Sequence, residues 1–172
     1  APQTLALPAI AKADLIEGMA KGMAVLESFD VQRQRLNATL AAERAGITLV
    51  VEQLQASECN FINRIGEAAK LIRLADQPNI RVLADLFHMV RGGDTPQELK
   101  AAMDVVVHIE IAEKDDRTAP GVAGDDFRPF FRVLREANYN GAINIEGGWT
   151  DAQIAPGFAA IAKQAEEVTS GR

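Results

Sequence analysis

A chain of 172 residues with 48% apolar and 24% charged residues has the composition of one ordinary globular domain able to bury a core, which excludes disorder as the default. Its formal net charge of −6 and pI near 5.0 exclude nucleic acid as an expected partner, because neutralising phosphates needs a concentrated basic surface. Apolar runs such as Ile47 to Val51 and Val105 to Val107 fall far short of the ~20 residues that span a bilayer. The opening APQTLALPAIAKADLIEG lacks the layout of a secretory signal. A single cysteine, Cys59, rules out an intrachain disulfide, and the expected compartment is a reducing cytoplasm.

From Asp14 to Phe29, Leu15, Met19, Met23, Val25, Leu26 and Phe29 recur at helical steps, although Gly18 and Gly22 weaken that helix. A second helix is expected from the N-cap Asn37 to a terminating Gly46. Beyond Gly46 short apolar runs alternate with amphipathic segments. TLVVEQL precedes a helix over 62–75, IRVLADLF one over 95–103, VVVHIEIA one over 125–137, and AINIEG one over 154–168.

Four strand-then-helix units in series predict an α/β fold with a parallel sheet and helical crossovers. The expected strands are 48–54, 81–87, 105–112 and 142–146. Pro96 suits a first helical turn, and Asn140-Gly141 marks the turn before the last strand.

Each strand ends in metal-capable groups: Glu52, then Asp85 with His88, then His108 with Glu110, then Glu146. In a parallel α/β sheet the C-terminal strand ends form one rim, where sites assemble. Carboxylates and a histidine with open positions suit a divalent metal such as Mn2+, Mg2+, Co2+ or Zn2+. His108 and Glu110, two residues apart, share a strand face, and Glu110 reads equally as a ligand or as its support. His88 reads either as a site residue or as a loop histidine satisfied by a backbone carbonyl.

LVVEQL, ADLFHM, HIEIAEKDDRTAPG and INIEG together resemble the successive motifs of xylose-isomerase-like sugar isomerases and epimerases, over about 120 residues in order. The resemblance implies a parallel (β/α)4 half of a TIM barrel with N-terminal helices, domain 48–172. It implies metal ligation by Glu52, Asp85, His108 and Glu146, and proton exchange with substrate by Glu52 and Glu146. Substrate contacts fall to His88 and Arg117, with Glu110 beside them. The implied substrate is a small sugar-like or hydroxy-carbonyl compound, isomerised through an enediolate. Gln53 and Gln55 depart from that family, which usually has proline after the first glutamate and often asparagine soon after.

The preceding segment, residues 1–47, carries LIEGMAKGMAVLESFDVQRQRLNATLAAERAGIT, which resembles the start of the helix-turn-helix domain of IclR-type transcription regulators. A junction near Thr48 would make the chain a chimera. The alternatives are therefore a related dehydratase or lyase, a vestigial regulator, and a non-catalytic half-barrel fragment. Because half a barrel leaves strand edges to be paired, a homo-oligomer is expected.

Overall fold

The computed structural model describes residues 23–27 and 37–170. Two units divide the chain, Ala1–Leu49 and Val50–Arg172. In the first, residues 23–27 are helical, and the rest of the expected 14–29 helix lies outside the described residues. Helix α1, Ala38–Ala45, begins as expected: the Asn37 side chain accepts the Leu40 N–H at 2.9 Å. It stops at Gly46, whose φ of 65° is the left-handed conformation that glycine adopts without strain.

Four strands follow, β1 (Leu49–Glu52), β2 (Ile80–Asp85), β3 (Val106–Ile111) and β4 (Ile143–Ile145), forming one sheet in sequence order. β2 pairs with β3, and β3 with β4, in parallel. Between and after them run α2 (Ile65–Ala75), α3 (Leu86–Gly92), α4 (Pro96–Ala102), α5 (Arg128–Glu136) and α6 (Asp151–Thr169). This is the expected strand-and-helix alternation, with shorter strands and one added helix.

The added helix has a local cause. The sequence reads Leu86 and Phe87 as the end of a strand, but the Asp85 side chain accepts the Phe87 N–H at 2.8 Å and starts a helix at once. The last helix begins at Asp151 and not at Ile154, because Gln153 Oε1 reaches back to accept the Thr150 N–H at 2.8 Å and fixes the first turn. Pro156 therefore lies inside that helix.

Alternation along the strands separates two chemistries. Val82, Ala84, Ile109 and Ile111, with Ile143 and Ile145 partly buried, join Ile65, Ala68, Leu99, Phe130 and Leu134 in a single core. Ile109 and Leu99 are completely buried there, and truncating either to alanine would cost about 2–5 kcal/mol. The intervening residues Asp85, His108, Glu110 and Asn144 occupy the opposite face.

Candidate functional site

Register decides which side chains stand level at the rim. Asp85 pairs with Glu110, and Glu110 with Asn144, whereas His108 pairs with Leu83, one two-residue step further down the sheet. An extra residue on β3, Val107, sits unmatched between Val82↔Val106 and Leu83↔His108.

Ligand-capable oxygens of Glu52, Asp85, Glu110 and Glu146 all lie within 4.8 Å of one another. A second group on the same scale contains Glu52, Asp85 and His88. Neither group contains His108, whose Nε2 lies 3.6 Å from Glu110 Oε1 and 3.1 Å from Asn144 Nδ2.

His88, on α3, is buried with 1% of its side chain exposed. Its Nδ1 accepts the backbone N–H of Gln55 at 3.3 Å, so in the neutral ring the proton sits on Nε2. That Nε2 faces Asp85 Oδ2 at 3.6 Å, Glu52 Oε1 at 3.7 Å and Glu58 Oε2 at 4.0 Å. Among the described residues Nε2 and Glu52 Oε1 are buried without a hydrogen-bond partner. A ring with this tautomer offers a proton donor toward the cluster and no lone pair.

Arg117 enters from the loop after β3. Its Nη2 donates to Asp85 Oδ2 at 2.8 Å and to Glu146 Oε2, and its Nε donates to the Glu146 carbonyl at 3.2 Å. The guanidinium lies 4.9 Å from the Phe87 ring centre, a cation–π distance. Glu113 holds this loop. Fully buried, its carboxylate accepts N–H groups from Gly121 (2.6 Å), Gly124 (2.9 Å), Asp125 (3.2 Å) and Ala123. The loop docks on the end of β4, where Gly148 N–H donates to the Arg117 carbonyl at 2.9 Å. Gly147 permits this approach, since a Cβ there would collide with that carbonyl.

Crowding shifts the acids. Burial, then the charges of Asp85 and Glu146, push the Glu52 carboxyl up to about 7. Glu110 is pushed up to about 7 as well, by burial and then by the adjoining Glu146. Burial raises Asp85 and lowers His88, so the histidine resists acquiring a charge.

A family model described as a xylose isomerase-like TIM barrel matches residues 10–168. The chain belongs to the xylose isomerase-like TIM barrel family. It is 30% identical over 107 residues to 3-dehydro-D-guloside 4-epimerase of Escherichia coli, covering 62% of this chain and 40% of that protein. It is 27% identical over 136 residues to 2-oxo-tetronate isomerase of Cupriavidus necator, covering 72% and 52%. The crystal structure of E. coli 3-keto-D-glucoside 4-epimerase superposes with a TM-score of 0.66 at 23% identity, over 95% of this chain and 60% of that one. The chain thus spans about half the length of the curated relatives it matches.

A shorter match, 56% identical over 49 residues, joins 28% of the chain to 18% of the p-hydroxybenzoate hydroxylase transcriptional activator of Acinetobacter baylyi. The family match runs across residue 48 in one span and gives no support to a junction there. No described helix is long and apolar enough to cross a membrane.

Within this family frame, Glu52, Asp85, Glu110, Glu146, His88 and Arg117 come together, and His108 stands one step below. Three further residues were not anticipated. Gln53, completely buried, donates from Nε2 to the Asp85 carbonyl at 3.1 Å. Glu113 builds the Arg117 loop, and Glu58 faces His88. Only Gln53 had a signal, its departure from the family's usual proline.

Proposed function

We propose that the cluster is the divalent-metal and proton-transfer site of a sugar isomerase or epimerase acting on a small hydroxy-carbonyl substrate. The observation that carries this reading is the convergence of four strand-end carboxylates within 4.8 Å of one another. Like charges this close repel unless protons or a cation intervene. An all-oxygen donor set beside a buried, unpartnered Glu52 Oε1 fits a hard cation such as Mn2+ or Mg2+, with Co2+ or Zn2+ also accommodated.

Glu52, Asp85, Glu110 and Glu146 would hold the ion, with His108 beside Glu110 as a further candidate. Bound there, a divalent ion supplies Lewis-acid stabilisation of negative charge on substrate oxygens. Glu52 ends β1 and Glu146 follows β4, so the two approach from the two outer strands of the sheet. One takes a proton from a substrate carbon and the other returns one, through an enediolate. His88 Nε2–H donates to a substrate oxygen, and Arg117 steadies another. Self-association belongs to the same proposal, because β1 and β4 are the outer strands of the described sheet and outer strands invite pairing.

The test is turnover of a panel of small ketoses and hydroxy-carbonyl acids with added Mn2+, comparing wild type with Glu52→Gln and Glu146→Gln. Wild-type activity with a loss of at least ~100-fold in each variant supports the paired-glutamate reading. Equal activity in all three rules it out.

A further inference from the structure

We infer that Arg117 is a built-in counter-cation that competes with a divalent ion for Asp85 and Glu146, so that loading the site requires its guanidinium to swing away. This rests on reading the carboxylate cluster as a cation site. Asp85 has little freedom: 1% of its side chain is exposed, and Oδ1 is committed to the Phe87 N–H. Its remaining oxygen, Oδ2, is the one that Arg117 Nη2 holds at 2.8 Å. The same nitrogen also pairs with Glu146 Oε2, so a single NH2 group bridges the second and fourth strand ends.

A guanidinium cannot discard its charge by losing a proton, as histidine or lysine can. Two cations cannot share the buried Asp85 Oδ2 without strong repulsion, so movement is the remaining way to clear that oxygen. The backbone need not follow. Glu113 fixes the loop through four N–H groups, and Gly148 anchors the Arg117 carbonyl, which leaves rotation of the long side chain off the Phe87 ring.

The experiment measures Mn2+ binding by isothermal titration calorimetry to wild type, Arg117→Asn and Arg117→Lys. Asparagine suits the site's positive φ of 52° and removes the charge. The expected result is tighter binding by Arg117→Asn, on the order of tenfold, with Arg117→Lys between the two. In parallel, the Arg117 Nε–Hε NMR resonance of wild type is followed during Mg2+ titration, and it should move and saturate with the ion. A folded Arg117→Asn that binds Mn2+ no more tightly than wild type overturns the inference while leaving the cation site standing. An Arg117 resonance unmoved at saturation does the same, and decides the matter should the variant fail to fold. Absence of binding by both wild type and variants removes the cation-site reading together with this inference.

Discussion

Gln53 and Asp85 tie two adjacent strand ends together: the buried Gln53 amide donates to the Asp85 carbonyl at 3.1 Å, immediately beneath the carboxylate rim. The Gln53 amide oxygen is itself buried without a partner among the described residues, so the group is only half satisfied. Gln53→Leu loses one hydrogen bond but also removes that orphan, and should cost about 1 kcal/mol or less. Gln53→Glu faces a carbonyl with buried oxygens and should cost more, roughly 2 kcal/mol or above. Urea denaturation of the two variants checks the order, and equal losses would contradict the assigned bond.

Glu113 should matter more to stability than its anonymous place in a charged loop suggests. Its removal in Glu113→Ala strands four backbone donors, and the expected destabilisation is several kcal/mol, about 3–5. Glu113→Gln keeps one acceptor oxygen but turns an NH2 toward donors, and should fall between. Limited proteolysis near Arg117, together with denaturant melts, measures both effects.

Register at β3 makes Glu110 the residue level with Asp85, although the resemblance assigns the strand's metal ligand to His108. Glu110→Gln should therefore weaken Mn2+ binding more than His108→Ala. Asp85→Asn should also weaken it, by at least about tenfold. Calorimetric titration of the three variants ranks them, and a larger loss in His108→Ala would return the ligand role to the histidine.

Protons and metal compete for the same oxygens. Glu52 and Glu110, both held at about 7, carry protons in the acid range that a cation must displace. A raised carboxyl pKa means that the binding form appears only as pH climbs. Mn2+ affinity should thus increase through pH 6 to 8, by up to about tenfold per unit for each proton released, and level off above. Titrations in buffers of different ionisation enthalpy count the protons, and pH-independent binding without proton release would contradict the shifts.

Much of the fold was legible because its signals are local. HIEI and INIE carry isoleucines on one parity and polar residues on the other, and strand-like runs alternate with helical ones, so the strands and their order could be read directly. What stayed hidden depends on pairing across space. The Val107 bulge sets Glu110 against Asp85, and nothing in HIEI announces it. Glu113 is recognised by backbone N–H groups, which have no sequence identity. Asp85 looked like a strand-end ligand and is also a helix cap, and the helix it starts carries His88 into the cluster.

The central claim, that Glu52 and Glu146 relay a proton on a carbon of a hydroxy-carbonyl substrate at a site that would hold a divalent ion, is tested most directly by solvent exchange. Wild type, Glu52→Gln and Glu146→Gln are loaded with Mg2+ in D2O with candidate ketoses, and carbon-bound deuterium is followed by NMR. The account predicts deuterium at the carbon next to the carbonyl in wild type, dependent on the metal and suppressed at least ~100-fold in both variants. Exchange that persists unchanged in either variant, or that survives a chelator, would contradict it.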